Sequence, residues 1–209
     1  MLFSVLEPIV SYEIKSNREY PILLNPVVGD KSDIAGTEVG ADLTKASSWF
    51  AGSDAGFVSD SVKYFTLSIP KLDIKKATVA IGGEDLSESL IQFPGTALPG
   101  KIGNSVIFGH SILPIYYDPE NYLAIFSTLP TLVEEDEVVV NYDGITYTYE
   151  VESVFEVLPT DVQVLDQNSN GSYLTLITCT PPGHPQKPRR LIVRAKIVPF
   201  QQANASIGN

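Results

Sequence analysis

Cysteine and histidine are nearly absent from this chain. Its 209 residues include one cysteine, Cys179, and two histidines, His110 and His184. One cysteine excludes an intramolecular disulfide framework, and one thiol with two imidazoles makes no convincing zinc site. The single thiol does not fix the compartment, because an extracellular protein can keep a free cysteine as its catalyst.

Basic residues and long apolar runs are scarce as well. There are 14 Lys and Arg residues against 25 Asp and Glu residues, which gives a net charge of −11. This balance argues against nucleic acid as a partner and offers no polybasic patch for anionic lipid. No stretch reaches the roughly 20 apolar residues of a membrane-spanning helix, and no signal peptide is complete.

What the chain does contain predicts a β-rich fold. Hydrophobic residues make up 44% of the chain, with 15 glycines and 15 prolines, which favours one domain with tight turns. Asp143-Gly144 is the strongest hairpin signal. A short helix is predicted at Pro119–Phe126 with Asp118 as its cap, and a short helix or strand at Val162–Gln167.

The predicted strands are Tyr64–Ile69, Ala77–Ile81, Ser105–Gly109, Glu137–Tyr142, Ile145–Val157, Tyr173–Thr178 and Leu191–Val198. With earlier strands they give seven or eight, which suits a closed or nearly closed β-barrel.

Cys179 follows an apolar, β-branched run, Thr175–Thr178, and precedes Pro181-Pro182-Gly183, which cannot continue a strand. The thiol is therefore predicted near the point where a strand enters a loop, a position from which a rigid scaffold presents reactive groups. The alternative is that Cys179 is a small buried hydrophobic residue.

A nucleophilic thiol needs a proton partner, and histidine is the usual one. His110 follows the apolar run Ser105–Gly109, so it also lies at a strand end. His184 lies in the loop Pro181–Pro188, where a solvated side chain is favoured. A structural histidine is the alternative for His110, but its placement matches that of Cys179.

An arginine-bearing strand follows the cysteine loop. In the run 189–198 the alternation points Arg190, Ile192 and Arg194 to one side. A guanidinium at the start of this strand can lie near the thiol and stabilise an oxyanion. Solvated edge positions are favoured for Arg189 and Arg194.

These residues together resemble the sortase family. Thr175–Cys179 and Arg190–Ala195 are similar to the sortase active-site signature, and Gly95–Gly100 with Gly103–His110 resembles the segment that leads to the catalytic histidine. The resemblance covers roughly residues 63–199 and depends on the order His, Thr-Cys, Arg. It implies a sortase-like closed β-barrel, mainly β with short helices.

The resemblance also assigns roles. It makes Cys179 the nucleophile, His110 the general acid and Arg190 the residue that positions substrate and stabilises the oxyanion. Thr178 becomes a substrate or oxyanion contact through its hydroxyl. Ser111 stands where many sortases have arginine.

Phe108 stands where a smaller residue is common in sortases. This difference and the one at Ser111 keep the catalytic groups and leave the subclass open.

Sortases are cysteine transpeptidases of the bacterial cell surface that cut an LPxTG-type sorting signal and join the acyl part to an amine. The expected partners are thus LPxTG-type substrate proteins and an amine from peptidoglycan or a pilin. The expected location is the extracellular face of the cytoplasmic membrane. Two alternatives are a cysteine peptidase that hydrolyses the same signal and a non-catalytic surface β-domain with an inert thiol.

The resemblance divides the chain into a segment 1–62, a catalytic domain 63–199 and a tail 200–209. Residues 1–10 are apolar and are expected to include the exit end of an N-terminal membrane anchor; the alternative is a helix or strand packed on the domain. Residues 11–62 are expected to form a stalk or a lid. The stalk is favoured, since the Asp-Pro-aromatic motif of pilus-sortase lids is absent and Trp49-Phe50 is only an aromatic cluster.

No cofactor is expected. Some sortases are stimulated by calcium, and the acidic run Glu134–Glu137 is the candidate for such a site. It lacks the spacing and the glycine of a calcium loop, so a solvated turn is favoured.

Overall fold

Eight strands close into a barrel in the computed structural model, which describes residues 9–16, 44–50, 64–167 and 170–199. The strands are β1 (Tyr64–Ile69), β2 (Ile74–Ile81), β3 (Leu90–Gln92), β4 (Gly103–Phe108), β5 (Glu137–Tyr142), β6 (Ile145–Val157), β7 (Ser172–Thr180) and β8 (Arg189–Ile197). Their order around the barrel is β1-β2-β3-β4-β7-β8-β6-β5. The mainly β, closed-barrel fold expected from the sequence is confirmed.

Two strand pairs are parallel, β2 with β3 and β4 with β7, and the others are antiparallel. Because β4 and β7 run in the same direction, their carboxyl ends meet at one end of the barrel. His110 follows β4 and Cys179 lies near the end of β7. The topology therefore brings these two residues to the same edge.

Side chains alternate between two hydrophobic clusters. One cluster takes residues from all eight strands and fills the barrel interior; Leu67, Leu176 and Leu191 belong to it. The other covers the outer face of β4, β7 and β8 and includes Phe108 and Cys179. The strict alternation of a strand thus places the thiol on the outside of the barrel, on a face that other residues cover.

The β5–β6 hairpin confirms its sequence signal. Asp143 and Gly144 form the turn with φ values of 53° and 75°, as a two-residue type I′ turn requires. Tyr142 and Ile145 flank the turn as register partners. This local chemistry fixes the register of the β5–β6 hairpin.

The loops between strands follow the expectations only in part. Pro119–Phe126 forms successive turns and no helix, although Asp118 caps the first of them by accepting from the Glu120 amide at 2.9 Å. The Phe126 amide instead donates to the His110 carbonyl at 2.9 Å. A short helix or strand was expected at Val162–Gln167, and Val162–Leu165 forms a 3₁₀ helix. The strand β3, which has only 3 residues, was not predicted.

Two segments before the barrel pack against it. Residues 9–16 form a helix, α1, and residues 44–50, called the cover segment below, lie over the outer hydrophobic cluster. Helical packing on the domain was the alternative for the chain start; residues 1–8, like the tail 200–209, lie outside the described residues. Among those described, no helix is long and apolar enough to span a membrane.

Candidate active site

Cys179 and Arg190 face each other across neighbouring strands. They are register partners in the β7–β8 ladder, and both side chains are completely buried. Residues directly opposite in an antiparallel pair point to the same face. The thiol and the guanidinium therefore share the outer face.

His110 lies beside Cys179 because β4 and β7 are in matched register. Phe108 is paired with Ile177, and His110 and Cys179 each follow two residues later in their segments. The Gly109 amide donates to the Ile177 carbonyl at 3.1 Å, so the pairing continues past the end of β4. The three proposed catalytic residues thus converge on one face.

Two hydroxyl groups hold the ends of β4 and β7 together. Ser111 Oγ donates to the Cys179 carbonyl at 2.7 Å, and Thr178 Oγ1 donates to the Gly109 carbonyl at 2.8 Å. Gly109 must remain without a side chain, since a Cβ there would meet the ring of Phe126 at 2.5 Å. The sequence indicated Ser111 only as a departure from the family pattern, yet its hydroxyl fixes the backbone at Cys179.

Thr178 is brought near the site but not onto the thiol face. It alternates with Cys179 along β7 and is paired with Leu191, which belongs to the interior cluster. Its hydroxyl is used by the Gly109 carbonyl. In this arrangement the Thr178 hydroxyl positions Gly109, the residue before His110. It lies on the opposite face of β7 from the thiol.

The Arg190 guanidinium is fixed by three carbonyl groups. Nε donates to the Trp49 carbonyl at 3.1 Å, and Nη1 donates to the carbonyls of Lys187 and Arg189 at 2.9 and 3.1 Å. Nη2 is buried and has no hydrogen-bond partner among the described residues. A fixed, buried donor of this kind can bind a carbonyl oxygen or an oxyanion.

The cover segment lies directly over these residues. The ring of Trp49, which is fully buried, is 5.8 Å from the ring of His110 and 5.6 Å from Cζ of Arg190. The segment is attached by backbone hydrogen bonds from Ala46 to Glu84 at 3.1 Å and from Leu86 to Thr44 at 2.9 Å. The aromatic side chain therefore separates the site from solvent in this conformation.

The solvated edge position expected for Arg189 is wrong. Arg189 is buried and forms ion pairs with Glu13 of α1 at 2.5 Å and with Glu156 of β6 at 3.2 Å. The sequence reasoning missed Glu156, which is fully buried. Glu156 is the register partner of Leu191, an interior residue, so it lies at an inward-facing position of β6. A charged residue at an inward-facing strand position was the signal that could have identified it.

The other candidates lie away from the thiol. His184 accepts a hydrogen bond from the Gln186 amide at 3.1 Å in the loop after β7. Arg194 is partly buried, donates to the Val164 carbonyl at 3.2 Å, and burial lowers the pKa of its guanidinium. Asp136 of the acidic run is paired with Lys71 at 2.7 Å. Within the described ranges, no three His, Cys, Asp or Glu side chains are grouped as metal ligands.

Comparisons with known proteins agree with this geometry. The family model of the sortase domain matches residues 67–198. The fold is similar to Clostridium perfringens sortase D5 transpeptidase, with 27% identity, TM-score 0.55, and coverage of 65% of this chain and 79% of that one. It is similar to Streptococcus suis sortase C1, with 27% identity, TM-score 0.56, and coverage of 68% and 75%.

Streptococcus agalactiae sortase C1 is a third similar structure, at 32% identity and TM-score 0.55, with 66% of this chain and 67% of that chain covered. No curated protein matches the chain.

Proposed function

The chain belongs to the sortase family, and on that premise we propose that it cleaves an LPxTG-type sorting signal through a thioester on Cys179 and transfers the acyl group to an amine. The family and the fold support a sortase-type transpeptidase in general. The substrate motif, the acceptor amine and the catalytic residues are our proposal. Among the amines, one from peptidoglycan and a pilin lysine both fit the chemistry.

One observation carries the assignment of residues. The β7–β8 register sets Cys179 opposite Arg190, while the β4–β7 register sets His110 beside Cys179. The three side chains that we propose as nucleophile, proton donor and oxyanion donor thus lie on one face at the end of a closed barrel. Rigid strands hold such a set more accurately than loops do.

The proposed steps use these three side chains. The Cys179 thiolate attacks the scissile carbonyl and forms a C–S bond, while Arg190 Nη2 binds the oxygen that gains the charge. The C–N bond then breaks as the imidazolium of His110 gives its proton to the leaving nitrogen. An incoming amine attacks the thioester, forms a new C–N bond, returns a proton to His110 and releases the thiolate.

The test is cleavage of a fluorogenic LPxTG-type peptide, with and without a glycine or lysine amine. The parent is expected to cleave it and to form the amide product with the amine, and Cys179→Ala is expected to lose cleavage. A Cys179→Ala protein that cleaves as well as the parent would remove the catalytic assignment. Release that no amine accelerates or diverts would instead support the peptidase, and no cleavage of any sorting peptide would support the non-catalytic β-domain.

We also propose that the cover segment acts as a lid, although the sequence favoured a stalk. Trp49 contacts both His110 and Arg190, and its carbonyl accepts from Arg190. A peptide that reaches the thiol must displace this side chain, because Cys179 is completely buried. The site is therefore closed at rest and opens for the sorting signal.

The proposed location is the extracellular face of the bacterial cytoplasmic membrane, which is where sorting signals and both kinds of acceptor amine occur. The proposed attachment is an N-terminal anchor. Surface accessibility of the protein to a protease added to intact cells tests this location.

A further inference from the structure

A fully buried carboxylate lies next to the catalytic residues, on the other face of the same strands. Glu156 of β6 accepts a hydrogen bond from Thr180 Oγ1 at 2.5 Å and pairs with Arg189 Nε at 3.2 Å. Thr180 and Arg189 are register partners, and their rung is the next one after Cys179 and Arg190. Glu156 thus ties together the last rung of the β7–β8 ladder.

The remaining contacts of Glu156 come from α1, far away in sequence. Tyr12 donates its hydroxyl to Oε1 at 2.9 Å, and Ser16 donates to Oε2 at 2.6 Å. On the same helix, Glu13 pairs with Arg189 Nη2 at 2.5 Å. The helix therefore holds both members of the buried ion pair.

The last rung of a strand pair is where a ladder opens most easily, because the chain beyond it has no pairing. Here the chain beyond is the loop 181–188, and opening of the last rung would leave the rung of Cys179 and Arg190 at the unsupported end of the ladder. A buried carboxylate is costly unless donors surround it, and packing alone would be served as well by an apolar side chain. Three hydroxyl donors satisfy the oxygens of Glu156, and the guanidinium of Arg189 offsets its charge as an ion pair. Together these contacts hold the rung in one register.

We propose that Glu156 is a positioning residue for transpeptidation and that α1, which precedes the matched sortase domain, is a working part of the active site. The carboxylate and the helix keep the rung of Thr180 and Arg189 closed, and this fixes the thiol and the guanidinium of the adjacent rung. The kinetic part of this inference rests on the proposed function. The structural part stands on the hydrogen bonds alone.

The test removes the two hydroxyl groups of α1 and leaves the barrel unchanged. In Tyr12→Phe/Ser16→Ala we expect kcat for the sorting peptide to fall about tenfold with little change in KM, as the loss of hydrogen bonds to a charged group would produce. Glu156→Gln is expected to lose more. The matched controls are Ile14→Ala on the exposed side of α1 and Glu150→Gln, an exposed glutamate of β6.

Amide hydrogen exchange provides a readout that does not depend on activity. We expect exchange in residues 178–190 to become faster in Tyr12→Phe/Ser16→Ala, while the β5–β6 hairpin keeps the parent's rate. Unchanged kcat with unchanged exchange would overturn the inference, and so would a uniform increase of exchange over the whole barrel. If the parent cleaves no sorting peptide, the proposed function fails, and the local exchange rate still decides whether α1 holds the rung.

Discussion

Arg190 is the residue whose chemistry the structure defines most closely. Its guanidinium is completely buried, three carbonyl groups fix Nε and Nη1, and Nη2 has no partner among the described residues. A planar fork with several donors can satisfy the fixed carbonyls and still offer one N–H to substrate, whereas the single ammonium of lysine cannot.

Arg190→Lys is therefore expected to lower kcat/KM for the sorting peptide by about a hundredfold, the effect of losing one oxyanion donor. Peptide cleavage kinetics measure it, with thermal unfolding to verify the fold. The matched control is Arg194→Lys, on the same strand and the same face, which is expected to retain activity. A parental kcat/KM in Arg190→Lys would exclude Arg190 from catalysis.

The sequence predicted Cys179, His110 and Arg190 as the site residues, since each lies near a strand end and in the order that sortases share. The sequence could not indicate Glu156 as their support. Its four partners come from α1, β7 and β8, and such convergence exists only after folding. The roles of all these residues in turnover stay predictions.

Among the elements, the cover segment lies over the candidate site. Trp49 is fully buried between Phe108, His110 and Arg190. The segment is outside the β4–β7 and β7–β8 ladders, so the proposed opening separates it from the barrel without breaking either ladder.

Trp49→Ala is expected to raise the rate of Cys179 alkylation by iodoacetamide about tenfold or more, because loss of the buried ring shifts the population towards states in which the thiol is accessible. Mass spectrometry measures it without ambiguity, since the chain has one cysteine. Tyr64→Ala, which removes an aromatic side chain that is 62% exposed, is the control. An alkylation rate equal to the parent's would show that the segment does not limit access.

Elements with local signals were predicted well, and elements with tertiary causes were not. The β5–β6 hairpin follows from Asp143-Gly144, whose turn geometry needs no partner. The helix predicted at Pro119–Phe126 did not form, because its residues bond to distant parts of the chain: the Tyr122 hydroxyl oxygen accepts from the Thr78 amide at 2.9 Å, and the Phe126 amide donates to the His110 carbonyl. These long-range contacts replace the helical ones.

At the scale of the whole molecule, the barrel depends on the pairing of β1 with β5, which closes it. Leu67 of β1 is completely buried in the interior cluster opposite Val140. Its side chain therefore packs at the seam of the closed barrel, where the surrounding strands cannot easily move to fill a gap.

Leu67→Ala is expected to lower the free energy of unfolding by about 2–5 kcal/mol, from lost burial and the cavity that remains. Urea denaturation measures the change. The control is Val133→Ala, whose side chain is 56% exposed and whose truncation is expected to change stability little. Equal losses in the two variants would contradict the placement of Leu67 at the seam.

The sequence by itself determined the β class and the hairpin turn, because alternation and turn chemistry are local properties of the chain. Only the tertiary structure decided that Trp49 lies against His110 and Arg190 and that α1 reaches Glu156. Those contacts join segments separated by more than a hundred residues. Their energies come from burial and hydrogen bonding between surfaces that do not exist until the barrel has closed.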